Sequence, residues 1–288
     1  DISPVISVMW RFLLAAIVLF AWIAAKRLPC HFSAKQHGWI ALQGLLLFSI
    51  NYVLVYHATE HLTSGLVAVV FASVVGMNII NGAIFLGKRI SALVALGALL
   101  GTAGLALVFL PEVRSASSNP EILPAIALAL VSTLCASLGN IISARNQAEQ
   151  MPVLQCNAFG MLYGALATYI YMLFTNIPLD FSFKPSYIYS LIYLALFGSV
   201  IAFGAYLSLV GKVGADRAGY ATVMFPLVAL GISTIFEGYH WPIEAIFGVI
   251  LVLVGNILVL NNNLIKHLRN KFSGRSAVAA APSTTTEI

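Results

Sequence analysis

The chain of 288 residues is 60% hydrophobic, only 9% charged, and has a net charge of +5 at pH 7. Soluble domains contain about 25% charged residues, so a water-soluble enzyme or binding module is excluded. The expected solvent of this chain is the lipid bilayer. The three cysteines, Cys30, Cys135 and Cys156, lack the spacing of a disulfide framework or a zinc site.

Nine apolar segments follow one another along the chain, separated by short polar stretches. Each has about the 17–25 residues that cross a hydrocarbon core as a helix, and none alternates with the period of two that barrel strands show. We therefore predict an all-α polytopic membrane protein. The nine predicted transmembrane helices cover residues 5–25, 38–58, 64–86, 91–110, 122–144, 153–175, 187–210, 218–236 and 242–262.

The basic residues outside the spans fall almost entirely on one face of the membrane, here called the basic face. Only Arg114 and Lys184 fall on the opposite face. Basic loops stay in the cytoplasm, so the basic face and the C-terminus are predicted to be cytoplasmic, and nucleic acid is not an expected partner. The basic face carries Lys26, Arg27, Lys35, Lys88, Arg89, Arg145, Lys212, Arg217, Lys266, Arg269, Lys271 and Arg275.

The first residue, Asp1, would then lie outside the cell, directly before the first span. One further helix would return the N-terminus to the cytoplasm. We expect ten helices in the full protein, with the first of them missing from this sequence.

An internal repeat appears when the chain is shifted by 151 residues. The shift aligns Ile84, Phe85 and Gly87 with Ile235, Phe236 and Gly238, and a shift of about 148 pairs Pro4 with Pro152. Repeats of five helices each would insert upside down relative to one another, which is typical of alternating-access transporters. Three units are predicted. The first repeat, without its first helix, covers 1–110, the second repeat covers 122–262, and a basic, disordered tail covers 263–288. The shift of 151 also pairs Gly97 with Gly248, Leu100 with Leu251, Gly104 with Gly255, and Leu107-Val108 with Leu258-Val259.

The sequence resembles the EamA-type, ten-helix branch of the drug/metabolite transporter superfamily. The residues that carry the resemblance are Ser3-Pro4, 11–16, 63–66, 85–87, 97–104, 218–226 and 248–255. The resemblance implies a secondary transporter in the cytoplasmic membrane that exports small organic metabolites, with amino acids as first candidates. It implies no enzyme activity and no cofactor.

Other functions stay open beside this one. A nucleotide-sugar or multidrug carrier of the same superfamily is the nearest alternative, and a channel or an intramembrane enzyme is the alternative from another class. The stretch from His57 to His61 matches the H-x-x-E-H pattern of zinc peptidases, but it ends a span and no acidic helix follows, so no metal site is predicted. Gly97 and Gly101 form a GxxxG pattern that would suit helix packing within the chain or a homodimer.

Polar groups at membrane depth are costly and therefore indicate function. Arg11 lies about two turns into the first span. Its guanidinium would either hold a substrate carboxylate, or extend to the outer membrane interface or bond the carbonyls of a neighbouring helix. The resemblance places Asn78, Asn140 and Asn157 around the central cavity. Trp10, Tyr52 and Tyr206 are aromatic candidates for stacking against a solute.

Three further residues are candidates for conformational and proton steps. Pro226 interrupts the eighth predicted span and is the hinge candidate. Glu237 and Glu244 flank the last outer turn, where a carboxylate could exchange protons during transport.

Overall fold

A computed structural model describes residues 2–87, 92–111, 120–218, 225–238 and 241–258. Helices form the regular secondary structure of these ranges, and six of them are long and apolar enough to cross a membrane. A short helical turn, Ala215–Ala218, follows α7. The nine apolar helices of the described ranges are α1 (Pro4–Ala25), α2 (Ala34–Thr59), α3 (Ser64–Leu86), α4 (Ala92–Val108), α5 (Ile122–Ala148), α6 (Val153–Phe174), α7 (Pro185–Val213), α8 (Phe225–Phe236) and α9 (Ile243–Leu258).

The described helices lie within or overlap the predicted spans, and local chemistry explains several of their ends. α2 begins four residues earlier than predicted because Ser33 and Gln36 form a capping box, in which each side chain bonds the backbone N–H of the other residue. α7 begins at Pro185, since proline is favoured in the first helical turn. α3 ends at Leu86, and the next residue, Gly87, has a φ of +66°, in the left-handed region that suits glycine.

Three of the long helices are interrupted near their middle. α2 contains a wide π turn over Leu46–Ile50, and α7 contains a longer one over Leu194–Ile201. α3 is broken at Ser73, whose hydroxyl donates a hydrogen bond of 2.7 Å to the Val70 carbonyl. Wide turns shift backbone carbonyls out of the regular ladder and recur at functional sites.

The surface differs from that of a soluble protein, since apolar side chains cover it, and several amides are buried within an otherwise apolar core. Phe174 is 83% exposed and Ile84 is 67% exposed, whereas Asn78 and Asn157 are each 1% exposed. Lipid accepts apolar side chains, and polar groups in its core need partners within the protein. This distribution is that of an all-α membrane protein.

The tightest contact joins α4 to α9 through glycine backbones. A Cβ added to Gly104 would lie 2.5 Å from the Gly248 carbonyl oxygen, and one added to Gly248 would lie 2.6 Å from the Gly104 carbonyl oxygen. A Cβ added to Gly255 would lie 2.5 Å from the Gly97 carbonyl oxygen. The low-numbered end of α4 therefore meets the high-numbered end of α9, and the two helices run antiparallel with no room for side chains between them.

Candidate functional site

The buried guanidinium of Arg11 joins α1 to α7. Its Nε donates a hydrogen bond of 2.8 Å to the Ser199 hydroxyl. Its Nη2 donates to the Gly198 carbonyl at 3.1 Å and, more weakly, to the Tyr52 hydroxyl at 3.5 Å. Only 9% of the residue is exposed. The guanidinium therefore reaches across to a neighbouring helix and bonds neutral groups there.

The wide turn of α7 makes this contact available. Gly198 and Ser199 both lie within it, and the absence of a side chain at Gly198 leaves the space that the guanidinium occupies, since a Cβ there would lie 3.1 Å from Nη2. The Ser199 hydroxyl in turn donates a hydrogen bond of 3.1 Å to the Leu194 carbonyl. Arg11 thus helps to satisfy backbone and side-chain groups of an irregular segment at membrane depth.

Aromatic rings surround the guanidinium. The Cζ of Arg11 lies 5.1 Å from the centre of the Tyr52 ring and 5.2 Å from that of Phe12. The Phe12 ring packs in turn on Phe48 and Phe203. Ring faces attract cations, so these contacts offset part of the desolvation of the charge.

An open cavity of about 630 Å³ lies next to this group, at the end of the bundle where α1 and α7 begin and α2 ends. Ser7 and Tyr56 line it, one helical turn from Arg11 and Tyr52 respectively, and the Ser7 and Tyr187 hydroxyls share a hydrogen bond of 3.2 Å. Its volume is that of a small-molecule site. The lining residues are Ile2, Pro4, Ser7, Tyr56, Asp180, Phe181, Ser182, Lys184 and Tyr187.

Trp10 lies beside this cavity and contacts the loop before α7, which forms part of the cavity lining. Its indole Nε1 donates a hydrogen bond of 3.3 Å to the Asp180 carbonyl, and its ring meets the Phe181 ring edge-on at 5.6 Å. These contacts fix the loop before α7 onto α1.

A second polar cluster joins α3, α5 and α7. The Asn140 amide donates a hydrogen bond of 3.2 Å to the Tyr206 hydroxyl, and Asn78 lies near the same hydroxyl. The Asn78 Nδ2 also donates to the Ala215 carbonyl at 3.4 Å. The Oδ1 atoms of Asn78 and Asn140 are buried and accept no hydrogen bond within the described part of the chain. Two orphaned acceptors in one cluster can receive donor groups of a ligand or of water.

Asn157 on α6 is also buried, and its Oδ1 has no acceptor bond among the described residues. The structure does not bring it into contact with the Tyr206 cluster by any hydrogen bond between described residues. Asn157 therefore stays a separate candidate for the cavity that the sequence predicts.

Glu237 joins the end of α8 to the start of α3. Its carboxylate accepts the Ser64 backbone N–H at 2.9 Å, the Ser64 hydroxyl at 2.6 Å and the Ser233 hydroxyl at 2.6 Å. These hydrogen bonds lower the pKa of the exposed Glu237 carboxyl below its ordinary 4.5. A carboxylate at the first turn of α3 also suits the helix dipole. Glu244 lies half-buried in the first turn of α9.

The remaining predicted positions have plain structural outcomes. Pro226 lies in the first turn of α8. The backbone carbonyl that this proline would leave unpaired belongs to the stretch 219–224, which lies outside the described residues. His57 is bound by Glu60 at 3.1 Å and by the Tyr171 hydroxyl at 3.2 Å. The face of α4 that carries Gly97 and Gly101 packs on Gly255 within the chain.

Sequence reasoning named Tyr52 but missed Gly198 and Ser199 as partners of Arg11. Ser199 and Gly198 form an ordinary small pair in an apolar segment, and Ser7 lies one turn before Arg11 on α1. A small polar residue inside a span was the available signal, but many spans of this chain contain one.

The EamA-like transporter family matches residues 1–110 and 123–261. The chain belongs to this family of transporters, which are not enzymes. A transporter of Clostridium kluyveri is 22% identical over 266 residues, covering 91% of this chain and 85% of that protein. Protein PagO of Salmonella typhimurium is 23% identical over 267 residues, covering 90% and 84%.

The inner membrane transporter YedA of Escherichia coli (strain K12) is 28% identical over 266 residues, covering 88% of this chain and 83% of that protein. A solved crystal structure superposes on 90% of this chain and 88% of its own with a TM-score of 0.65 at 16% identity. At this identity the superposition shows a shared fold.

Proposed function

We propose that this chain is a secondary transporter that exports small organic metabolites across the cytoplasmic membrane by alternating access between two inverted repeats. The name of YedA supports the inner membrane, and the basic face supports a cytoplasmic C-terminus. Amino acids are the first candidates for the solute. The proposed transport needs no resident cofactor, and its partners are the solute and the bilayer.

The crossed glycine contacts between α4 and α9 carry the proposal. The repeat in the sequence equates Gly97 with Gly248 and Gly104 with Gly255. The contacts pair Gly104 with Gly248 and Gly97 with Gly255 instead. A two-fold axis that exchanges the repeats would convert one of these contacts into the other, as it does at any self-complementary interface.

Two further features agree with such an axis. A shift of 151 carries the wide turn Leu46–Ile50 of α2 onto 197–201, within the wide turn of α7. At one end of the bundle Gly65 packs on Leu230. Adding 151 to position 65 gives 216, and subtracting 151 from position 230 gives 79. These positions are each one residue away from the hydrogen-bonded pair Ala215 and Asn78. Binding sites of inverted-repeat transporters lie between the repeats.

The proposed substrate-facing residues form two groups. Trp10, Arg11 and Tyr52 lie at or beside the open cavity, and Asn78, Asn140 and Tyr206 form the polar cluster, with Asn157 as a separate candidate. Pro226 remains the proposed hinge. Glu237 and Glu244 remain proton-coupling candidates, and Glu237 contacts Ser64 in the first half of the chain.

The test is counterflow in liposomes that contain the purified protein. Vesicles preloaded with one unlabelled amino acid, drug or sugar at a time are diluted into a trace of the same solute in labelled form, with and without a proton gradient. A carrier accumulates the label transiently and saturates. Flux without saturation or accumulation would indicate a channel and contradict the proposal.

A homodimer through small-residue faces is a less favoured part of the proposal, because α9 already occupies the Gly97 and Gly101 face of α4. Mass measurement of the protein in lipid nanodiscs would decide the oligomeric state.

A further inference from the structure

The partners of Arg11 are all neutral. Within the described ranges the guanidinium bonds two hydroxyls and one carbonyl, and its Nη1 makes no hydrogen bond there. Arginine stays charged throughout the physiological pH range. Hydrogen bonds with one ionised partner are already stronger than neutral ones, and a carboxylate adds a second ionised partner that accepts two parallel N–H bonds from a guanidinium. A carboxylate that reached this guanidinium would therefore displace the Gly198 carbonyl from it.

The bonds at risk hold an irregular segment. Gly198 and Ser199 lie in the wide turn of α7, and Ser199 also donates to the Leu194 carbonyl of the same turn. No other described residue outside α7 donates a hydrogen bond to the Gly198 carbonyl or to the Ser199 hydroxyl. Loss of Arg11 from these groups would remove the bonds that hold this irregular segment to α1, so its backbone amides would open to exchange more often.

The neighbouring cavity supplies a path for an anion. Ser7 and Tyr56 line it one turn from Arg11 and Tyr52, about 6 Å along each helix axis. Lys184 and Asp180, both in the loop before α7, add one positive and one negative charge to its lining. The cavity also has aromatic walls, which suit the apolar part of a small organic acid.

We propose that Arg11 is a latch operated by the substrate: an anionic carboxylate group of the solute binds the guanidinium, replaces Gly198 and Ser199, and so releases the wide turn of α7 from α1. The inference rests on the proposed transport function. It deepens that function by naming a carboxylate as the recognised group and α7 as the element that responds.

The first experiment compares acids with amides of the same shape. Purified protein in nanodiscs is titrated with phenylacetate and phenylacetamide, benzoate and benzamide, and isovalerate and isovaleramide, with thermal stability and tryptophan fluorescence as readouts. The acids are expected to stabilise the wild-type protein and the amides are not. Arg11→Gln should weaken acid binding by about ten- to a hundredfold, the range for hydrogen bonds to a charged group. Equal binding of acids and amides, or failure of all three acids to bind, would overturn the proposal.

The second experiment separates the latch from a merely structural role. Hydrogen–deuterium exchange is measured on peptides that cover Leu194–Ile201, with and without phenylacetate. In the wild-type protein the acid should raise exchange in this segment. In Ser199→Ala the exchange should be high without the acid, while the preference for acids over amides persists. If Ser199→Ala abolishes that preference, or if phenylacetate slows exchange in the wild-type protein, the latch is wrong.

Matched glycine variants check the geometry. Gly198→Ala places a methyl group 3.1 Å from Nη2, whereas a Cβ at Gly204 on the same helix meets nothing within 4 Å. Gly198→Ala should push the guanidinium off the Gly198 carbonyl and raise exchange in Leu194–Ile201 without acid, as Ser199→Ala does, whereas Gly204→Ala should not. Counterflow on the same proteins distinguishes two failures. Saturable exchange without a preference for acids removes the latch alone, whereas selective acid binding without exchange removes the proposed transport function.

Discussion

Two contacts between the first and second halves of the chain are built from opposite materials. Between α4 and α9, glycine backbones touch and leave no room even for a methyl group. Between α1 and α7, a charged side chain bonds hydroxyls and a carbonyl in a wide turn, beside an open cavity. Close apolar packing has few alternative arrangements, whereas hydrogen bonds can be exchanged for those of a ligand. The comparison indicates a fixed seam at α4–α9 and a movable one at α1–α7.

The fixed seam should tolerate no added volume. Gly104→Ala should lower the free energy of unfolding by about 1–3 kcal/mol, the usual effect of overpacking, because its Cβ meets the backbone of α9. Gly248→Ala should match it if a two-fold axis relates the contacts. The control is Gly101→Ala, whose Cβ meets nothing within 4 Å. Unfolding in lipid bicelles measures all three, and a Gly104→Ala protein as stable as the control would break the comparison.

The movable seam should instead respond in transport. Arg11→Gln removes the charge but keeps an amide that can donate to Ser199 or Gly198. We expect the counterflow rate per folded protein to fall by about tenfold or more, the loss from one charged hydrogen bond. Thermal stability should change less than in Gly104→Ala. Wild-type flux in Arg11→Gln would remove this residue from the site.

Two asparagines on α3 sharpen the distinction between transport and packing. Asn81 donates a hydrogen bond of 2.8 Å to Ser137, whereas the Oδ1 of Asn78 has no partner in the described part of the chain. Asn81→Ala should lower the free energy of unfolding by about 0.6–1.7 kcal/mol, as for other interhelical bonds in membranes. Asn78→Ala should reduce flux and should cost less stability than Asn81→Ala, because the bond of Asn78 to the Ala215 carbonyl is longer, at 3.4 Å. Unfolding and counterflow on both variants measure this, and an equal stability loss in the two would contradict it.

The smallest expected effect concerns the exposed carboxylate of Glu237. Its pKa is lowered in the folded protein by the hydrogen bonds from Ser233 and Ser64. Its stabilisation is therefore complete above the ordinary value of 4.5 and is lost as the pH falls through the lowered pKa. Glu237→Gln should be slightly less stable than the wild type at pH 7, and the difference should vanish in acid. A difference that grows on acidification would show the opposite sign.

The helices could be predicted from the sequence, because span length and composition alone decide what lipid accepts. Arg11 stands out for the same reason, since a charge at membrane depth is costly wherever it points. Its partners on α7 could not be predicted. Gly198 and Ser199 matter only because α7 widens beside them, and Leu194–Ile201 consists of residues that an ordinary apolar helix also contains.

The glycine pairs illustrate an intermediate case. The repeat makes Gly97, Gly104, Gly248 and Gly255 visible in the sequence, but equivalence says nothing about which of them touch. The crossed pairing depends on how α4 and α9 face each other in space. For Asn157 the sequence predicts burial, because an amide within a span avoids lipid. The sequence does not predict which residues surround the Asn157 side chain.

Spin labels on lipid-exposed positions test the difference between the two seams most directly. Ile17 on α1 and Tyr193 on α7 report on one seam, and Leu99 on α4 and Ile257 on α9 report on the other. Distances in nanodiscs are measured with and without a solute that the counterflow assay identifies. The account predicts that the distance between positions 17 and 193 shifts with the solute while that between 99 and 257 stays fixed. A shift between 99 and 257 as large as that between 17 and 193, or a fixed distance at both seams, would contradict it.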